Sequence, residues 1–278
     1  MNVLIRADLE WIGENCSRRK ATKNIIEFWR GKNAQRIKVI GHKGNIDQVV
    51  ELGVDLNFDL RSDPREEAND MSLAEELALG FDVYVNEAFA TSHRKHCSID
   101  ALPRLMRSQG KQVGMGLRFQ EEITHLSVPS LESREGKGRV IIIGGAKAGD
   151  KAKYADELEK KGWTVLRGGL LPGAELRPDG LDISDERIKN YELIIKNAET
   201  IVIAGPMGKY EEAPEGTQKI FTAVANSKAY KIAGGGDTEA ALEKFGLKEK
   251  FDWISVGGGA MLEYLTTGTL PGLEALVS

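Results

Sequence analysis

Short apolar runs alternate with longer amphipathic stretches through the first half of this chain. The runs Val3–Ile5, Ile37–Ile40 and Asp82–Val85 have the length and composition of strands. Between them, Ala21–Trp29 and Ile46–Leu52 carry apolar residues at helical spacing. Strands that alternate with helices in this way predict an α/β fold with parallel sheets.

The second half contains four apolar runs that each lead into a glycine-rich loop. The runs and their loops are Val140–Ile143 with 144–151, Ile201–Ile203 with 204–208, Ala229–Ala233 with 234–238, and Trp253–Val256 with 257–260. Because the carboxyl ends of parallel strands share one edge, we expect these loops to line one ligand crevice. Glycines let a ligand approach the backbone, and a helix N-terminus offers unpaired N–H groups to phosphate. For any one loop an ordinary turn is the alternative, but four together predict a phosphate site.

A polar, turn-rich segment, Pro129–Gly138, interrupts the alternation of strands and helices. We place a domain boundary there, because such composition is typical of linkers. The expected domains are residues 1–130 and residues 139–265. Residues 266–278 form a tail that could return to the first domain.

Composition narrows the class of protein. The chain has 278 residues, of which 29% are charged and 41% are hydrophobic, as is typical of a soluble globular protein. Its formal net charge of -4 argues against bulk nucleic-acid binding. Cys16 and Cys97 match no metal-site spacing and make no disulfide framework. Charges in Met1–Trp11 break any signal-peptide pattern, and no apolar stretch reaches membrane-spanning length. We therefore expect a cytoplasmic protein without nucleic-acid or membrane partners.

Basic residues follow the predicted strands of the first half. They are Arg6, His42, Arg61, His93, Arg94 and His96. Guanidinium and imidazole donors bind phosphate and carboxylate, and arginine can do so with two parallel hydrogen bonds. Any one of them could be a solvated surface charge, but their repeated placement favours a site for an anionic phospho-acid. His125 has no such context, and we interpret it as structural.

Several motifs occur together in a fixed order. They are Arg6–Glu10 (RADLE), Ile40–Asn45 (IGHKGN), Tyr84–Ser98 (YVNEAFATSHRKHCS), Gly144–Lys147 (GGAK) with Lys151, Gly205–Gly208 (GPMG) with Glu211, and the loops Gly234–Thr238 (GGGDT) and Gly257–Ala260 (GGGA). Each motif alone is weak, but the combination is specific. In this combination the chain resembles the phosphoglycerate kinase family along nearly its whole length.

The resemblance implies two Rossmann-like domains whose parallel sheets face each other across a cleft, in a reduced form of the family's fold. It implies a glycolytic enzyme that transfers a phosphoryl group reversibly between 1,3-bisphosphoglycerate and ADP, giving 3-phosphoglycerate and ATP. Mg²⁺ would accompany the ATP or ADP. The basic half would hold the phosphorylated acid and the glycine-rich half the nucleotide. Small-molecule partners and a monomer are expected.

The matched motifs also imply roles for particular residues. Catalysis is expected from Arg18, Lys147 and the backbone N–H groups at Gly236 and Gly258. The residues expected to bind the acid substrate are Arg6, Asp8, Glu10, Arg18, His42, Asn45, Arg61, His93 and Arg94. The residues expected to bind the nucleotide are Gly145, Lys147, Lys151, Pro206, Glu211, Gly235, Gly236, Asp237 and Thr238. Asp237 is the candidate Mg²⁺ ligand, with a helix N-cap as its alternative role.

The chain also departs from the family's pattern. Glu10 stands where the family has asparagine, and Asn45 where it has arginine, which weakens an anion contact. Between Gly169 and Gly180 the sequence skips segments that in the family help to enclose the adenine base. We therefore expect nucleotide affinity to depend on Mg²⁺ and phosphate number more than on the base. The alternative functions are a non-catalytic protein that binds a phosphorylated ligand or a partner, and a kinase for a related small carboxylic acid.

Overall fold

The computed structural model describes residues 1–11, 16–44, 50–57, 59–131, 138–146 and 148–277. The predicted site residues Asn45 and Lys147 lie outside these ranges. The helix expected over Ile46–Leu52 also lies largely outside them, and its last residues form a 3₁₀ turn, Val50–Leu52. None of the helices within the described ranges is long and apolar enough to cross a membrane.

The chain divides into two compact units. Residues Met1–Thr124 and those from Thr269 onward form the first unit, and His125–Gly268 form the second. The division falls inside a helix, Leu117–Leu131. This helix continues into the polar segment 129–138, where the sequence analysis placed the boundary, so the two positions differ by a few residues.

The first unit is built on five parallel strands. They are β1 (Asn2–Arg6), β2 (Arg36–Ile40), β3 (Asp55–Asn57), β4 (Val83–Asn86) and β5 (Gln112–Met115), and the helices along this part of the chain are α1 (Ser17–Gly31), α2 (Pro64–Glu67), α3 (Met71–Ala78), α4 (Ala101–Ser108) and α5 (Leu117–Leu131). The sheet has the order β3-β2-β1-β4-β5. Arg6 at the end of β1 pairs with Ile40 of β2 and with Asn86 of β4. The loops that follow these three strands therefore leave the sheet side by side.

The second unit repeats this plan. Its strands are β6 (Arg139–Ile143), β7 (Thr164–Arg167), β8 (Thr200–Ala204), β9 (Tyr230–Gly234) and β10 (Trp253–Ser255), and its further helices are α6 (Ala148–Lys160), α7 (Asp185–Lys196), α8 (Glu215–Asn226), α9 (Gly236–Lys244) and α10 (Gly258–Thr267). The parallel sheet has the order β10-β9-β8-β6-β7. Ile142, Ile203 and Phe221 are fully buried in its core. The four apolar runs before the glycine loops are thus strands, with β6 and β8 buried almost throughout and β9 and β10 buried towards their carboxyl ends.

The residues after α10 rejoin the first unit and form α11 (Pro271–Val277). The backbone N–H of Gly272 donates to the carbonyl oxygen of Ser92 at 2.9 Å. A β-carbon on Gly272 would collide with the side chains of Ser92 and Ile99. Glycine is therefore needed for this close approach.

Candidate functional site

Four glycine loops leave one edge of the second unit's sheet. They follow β6, β8, β9 and β10, and these strands are neighbours in the sheet. Gly145, Gly205 and Gly235 have φ values of 92°, 122° and 99°, which residues with a β-carbon rarely adopt. The loops also touch, since a β-carbon on Gly144 would collide with the carbonyl oxygen of Pro206. The packing of the loops thus requires these glycines, and the same glycines suit a phosphate site.

Lys151 fastens two of these loops together. Its ammonium group donates to the carbonyl oxygens of Gly144 at 2.7 Å and Ala204 at 2.8 Å. These carbonyls lie where β6 and β8 end. The charge of Lys151 therefore lies at the base of the glycine loops, where it adds to the positive potential.

Two helices begin next to each other at this edge. Gly236 and Asp237 are exposed in the first turn of α9, and Gly258, which begins α10, lies against Gly235. Unpaired N–H groups at both N-termini favour phosphate. The exposed carboxylate beside them suits Mg²⁺, which proteins usually hold through one or two carboxylates together with phosphate oxygens.

Thr238 differs from its neighbours in the same turn. Its side chain is 1% exposed, and its hydroxyl donates to the carbonyl oxygen of Gly234 at 3.0 Å. The hydroxyl therefore supports the loop from inside. The hydroxyl is turned towards the end of β9, and nucleotide binding by Thr238 stays a prediction.

Three of these loops, those after β6, β8 and β9, line a pocket of about 210 Å³ that is open to solvent. Its lining includes the predicted residues Gly145, Pro206, Glu211 and Asp237. The other lining residues are Ala146, Gly169, Leu170, Leu176, Gly180, Leu181, Gly208, Lys209 and Tyr210. Apolar walls with a few polar groups are typical of small-molecule sites. The structure therefore brings several of the predicted nucleotide-binding residues to one pocket.

In the first unit, Asp8 joins the loops that follow β1 and β4. Its side chain is largely buried, and its carboxylate accepts hydrogen bonds from the N–H of Ala90 at 2.9 Å and the hydroxyl of Thr91 at 3.1 Å. His93 and Arg94 follow directly in the chain. Asp8 thus positions the loop that carries these two basic residues.

His42, after β2, stacks on His96 with ring centroids 4.8 Å apart. Both ring nitrogens of His42 and Nδ1 of His96 are buried, and none has a hydrogen-bond partner among the residues that the structure describes. Nδ1 of His42 lies 3.8 Å from Oε1 of the buried Glu66. Burial, together with the nearby His42, lowers the pKa of His96 to about 4, so this imidazole is neutral at pH 7. The three side chains offer ligand atoms within 4.8 Å of one another, a set that could hold a metal ion or meet a polar ligand.

Arg6 is fully buried and holds this region together. It donates to the hydroxyl of Ser98 at 2.8 Å, the carbonyl of Ala7 at 2.6 Å and the hydroxyl of Thr91 at 3.2 Å. Ser98 in turn donates to Glu66 at 2.6 Å. The guanidinium of Arg6 has no exposed surface and its donors face the protein interior, and substrate binding by Arg6 stays a prediction.

The remaining basic residues of the first unit stay at least partly accessible. Arg61 and Arg94 are exposed, as is Glu10, whereas Arg18 and His93 are half-buried. Arg18 lies on α1 and donates to the carbonyl oxygen of Glu10 at 3.3 Å. Nε of Arg94 lies 3.4 Å from Nε2 of His93. The side chains of these basic residues are therefore at least partly open to solvent, unlike that of the buried Arg6.

Comparison with known proteins assigns the family. The sequence profile described as phosphoglycerate kinase matches residues 56–177 and 174–268. The phosphoglycerate kinase of Roseiflexus castenholzii is 34% identical over 280 residues, which cover 78% of this chain and 69% of that protein. The chain belongs to the phosphoglycerate kinase family. The phosphoglycerate kinase of Herpetosiphon aurantiacus is also 34% identical, over 294 residues that cover 82% of this chain and 73% of that protein.

Solved phosphoglycerate kinase structures share the fold. The protein from Pyrococcus horikoshii superimposes with a TM-score of 0.81 at 22% identity, covering 99% of this chain and 95% of that one. The protein from Coxiella burnetii gives a TM-score of 0.78 at 23% identity, with the same coverage. The two parallel five-stranded sheets therefore form the Rossmann-like architecture of phosphoglycerate kinases.

The comparison also locates a place where this phosphoglycerate kinase family member is short. An alignment of 280 positions uses 78% of the 278 residues, so some positions are gaps in this chain. The two pieces of the profile match meet at residues 174–177. In the structure, β7 ends at Arg167 and α7 begins at Asp185. A short connection therefore spans the region where the sequence analysis placed the missing adenine-side segments.

The sequence analysis did not identify two buried carboxylates that shape these sites. Glu66 lies beside His42 in the first unit. Asp182 is 1% exposed in the second unit and accepts hydrogen bonds from the N–H groups of Gly216 at 2.6 Å and Ile183 at 2.8 Å. An acid in a polar stretch is usually solvated, so neither position carries a sequence signal for burial.

Proposed function

We propose that this chain catalyses the reversible transfer of a phosphoryl group between ATP and the carboxylate of 3-phosphoglycerate. Membership of the phosphoglycerate kinase family supports this reaction. The observation that carries the proposal is the edge of the second unit's sheet, where four glycine loops, Asp237 and the N-termini of α9 and α10 meet. Few arrangements other than a polyphosphate site need so many backbone N–H groups at one place.

The second unit would hold the nucleotide. Backbone N–H groups near Gly236 and Gly258 would bind phosphate oxygens, and Lys151 would add positive charge from below. Lys147 would stabilise the charge of the transferred phosphoryl group, a role that rests on its motif alone. Asp237 would hold Mg²⁺, which supplies charge neutralisation on the phosphates when it is bound.

The first unit would hold the phosphorylated acid. Arg61 and Arg94 are exposed cations suited to the phosphate, and His42 offers two ring nitrogens that have no hydrogen-bond partner among the described residues. Arg18 would act on the migrating group. Phosphoryl transfer needs positioning and cancellation of charge more than covalent help from the protein. The work of these residues is therefore electrostatic, and Arg6 and Asp8 keep the loops in position.

The test measures ADP release from Mg-ATP with and without 3-phosphoglycerate, with hydroxylamine present to trap the acyl phosphate. We expect acid-dependent ADP release that falls about 100-fold or more in Lys147→Ala, because one lost charge-stabilising group typically costs that much. Lys189→Ala, an exposed lysine on α7, is the matched control and should keep full activity. ADP release that does not depend on the acid, or that survives in Lys147→Ala, would contradict the proposal.

A second candidate function is ligand binding without turnover. The short connection between β7 and α7 favours it, as does Asn45 in place of the family's arginine. Binding of both ligands without ADP release would support this candidate. ADP release with another small carboxylic acid, but not with 3-phosphoglycerate, would instead indicate a related kinase.

A further inference from the structure

His42, Glu66 and His96, which we call the histidine cluster, come from three separate parts of the first unit. His42 follows β2, Glu66 lies on α2, and His96 lies in the segment between β4 and α4. Each residue offers one ligand atom, and these three atoms lie within 4.8 Å of one another. Because its members are far apart in sequence, the cluster exists only in the folded chain.

The ring nitrogens of the histidine cluster are buried without hydrogen bonds. Both nitrogens of His42 and Nδ1 of His96 have no hydrogen-bond partner in the described part of the chain. The side chain of His42 is only 6% exposed, so bulk water does not replace the missing partners. A buried polar group without a partner costs free energy, and neutral imidazole is the commonest metal ligand in proteins. These nitrogens therefore favour a bound ligand.

Glu66 brings a buried negative charge to the same place. Its side chain is fully buried, and its only ion-pair partner within 4.0 Å among the residues that the structure describes is Nδ1 of His42, at 3.8 Å. Arg6 reaches this carboxylate through Ser98, whose hydroxyl accepts from Arg6 at 2.8 Å and donates to Glu66 at 2.6 Å. Buried charges in proteins are usually paired or coordinate a metal. A cation between Glu66 and the histidine rings would complete the pairing.

The charges around His42 favour a cation at its Nδ1. The buried carboxylate of Glu66 lies beside Nδ1, where it would repel an anion and attract a cation. On the other side of the ring, Nε2 lies 4.0 Å from Glu67, whose carboxylate is half exposed and lies 3.5 Å from Nε of Arg61. The charge near Nε2 is therefore more nearly balanced. A metal at Nδ1 leaves Nε2 to the phosphorylated acid, so the two nitrogens can serve two different ligands.

Hydrogen bonds fix the orientation of the Glu66 carboxylate. The N–H of Ser98 donates to Oε2 at 2.9 Å, and the hydroxyl of Ser98 donates to Oε1 at 2.6 Å. Oε1 has a second lone pair, so it can bind a metal while it keeps this hydrogen bond. Outer partners of this kind orient metal ligands. Two atoms that coordinate Zn²⁺ tetrahedrally at about 2.1 Å lie about 3.4 Å apart. The separation of 3.8 Å between Glu66 and His42 is close to this distance.

We propose that the histidine cluster binds a divalent transition-metal ion of the Zn²⁺ type through Nδ1 of His42, Oε1 of Glu66 and a ring nitrogen of His96. Two imidazoles and one carboxylate are a ligand set of zinc sites with an open fourth position. Mg²⁺ instead prefers oxygen ligands, so this site differs in chemistry from the one proposed at Asp237 in the second unit. The ion would tie the loops after β2 and β4 to α2. The inference does not rest on the proposed function, because metal binding needs neither nucleotide nor acid.

The test is a calorimetric titration of the full chain with Zn²⁺, after bound metals have been removed with EDTA and the EDTA has been washed out. Excess Mg²⁺ in the buffer keeps Zn²⁺ from sites that are built of carboxylates alone. We expect one Zn²⁺ per chain. His96→Phe keeps a flat ring against His42 but removes the ligand nitrogen. It should weaken binding about 100-fold or more, because loss of an outer partner alone typically costs about 10–100-fold.

His93→Phe is the matched control. It removes the same chemical group from the same segment, but His93 is outside the histidine cluster. This variant should bind Zn²⁺ as tightly as the wild-type chain.

A second measurement uses the wild-type chain and does not depend on how the variants fold. In an NMR spectrum of the four histidine rings, one equivalent of Zn²⁺ should shift the resonances of His42 and His96 and leave those of His93 and His125 unchanged. Absence of Zn²⁺ binding would overturn the inference, as would shifts confined to His93 and His125. Unchanged affinity in His96→Phe, or an equal loss of affinity in His93→Phe, would also overturn it. None of these results depends on ADP release, so the inference and the proposed function can fail separately.

Discussion

Replacing Arg6 with methionine tests whether this buried cation holds the first unit together. Methionine keeps much of the apolar length and removes the guanidinium. The change breaks hydrogen bonds to Ser98, Ala7 and Thr91 and leaves the fully buried carboxylate of Glu66 without its nearby positive charge. Breaking one side of a buried charge network typically costs about 3–5 kcal/mol. We expect Arg6→Met to lower the free energy of unfolding of the first unit by this amount.

Arg36→Met is the matched control in the same unit. Nε of Arg36 lies 2.7 Å from Asp55, but both side chains are about half exposed, at 49% and 54%. An exposed pair of this kind contributes about 0–1 kcal/mol. The two variants therefore remove the same chemical group from a buried hydrogen-bonded network and from an exposed ion pair.

The assay is native-state hydrogen exchange of the β1 and β4 amides at increasing urea concentration. It measures the first unit separately, which matters because a chain of two units need not unfold in one step. If Arg6→Met and Arg36→Met differ by less than about 1 kcal/mol, the assignment of Arg6 as the structural centre of these loops is wrong.

Lowering the pH should reduce the loss of unfolding free energy that Arg6→Met causes. Burial alone would raise the pKa of Glu66, but its contacts with His42, Arg6 and Ser98 outweigh burial and lower the pKa below the ordinary 4.5. The stability from this ionised carboxylate is present above pH 4.5 and is lost as the pH falls through the folded pKa. Without Arg6 the negative charge of Glu66 is poorly compensated. We therefore expect Glu66 to become protonated at a higher pH in the variant than in the wild type, which reduces the difference in stability between them.

Two further predictions concern buried titrating groups. Because burial and the nearby His42 lower the pKa of His96 to about 4, an NMR titration of its ring should give a midpoint near 4. His96→Asn should correspondingly reduce the loss of stability between pH 6.5 and 4, where the unfolded chain alone takes up this proton; a midpoint above about 6 contradicts the burial argument. Burial raises the pKa of Glu87 to about 8, although its carboxylate accepts the N–H groups of Arg118 at 3.0 Å and Phe119 at 3.4 Å. The folded state then holds this proton more tightly than the unfolded chain, so stability should fall as the pH rises from 4.5 to 8, and Glu87→Gln should flatten the fall. A urea-unfolding pH profile that the substitution leaves unchanged would mean that Glu87 is ionised in the fold.

The strands β1, β2, β4, β6, β8, β9 and β10 follow from local sequence, whereas β3, β5 and β7 were not predicted. Val140–Ile143 and Ile201–Ile203 are apolar runs that end at glycines, and buried parallel strands need this composition. The edge on which the glycine loops meet also follows, because parallel strands place their carboxyl ends together. These features depend on residues close in sequence and on the general geometry of sheets.

The roles of Arg6 and Thr238, and the antiparallel turn at residues 175–184 between β7 and α7, could not be predicted from the sequence in the same way. Arg6 is buried by Ser98 and Thr91, which lie far along the chain, and a motif does not show which of its members face inward. Thr238 shares its turn with the exposed Asp237, so only the three-dimensional structure separates their roles. Residues 175–184 are mostly polar and show no periodicity, and the turn that they form depends in part on a hydrogen bond between Leu181 and Lys209, which lies in another loop of the second unit.

The return of α11 to the first unit has a consequence for biosynthesis. The ribosome completes Ser92 and Ile99 long before it reaches Gly272, yet Gly272 packs against both. The whole of the second unit is translated in between. During translation the surface formed by Ser92 and Ile99 therefore stays uncovered. Gly272 can pack against it only after the second unit has been synthesised.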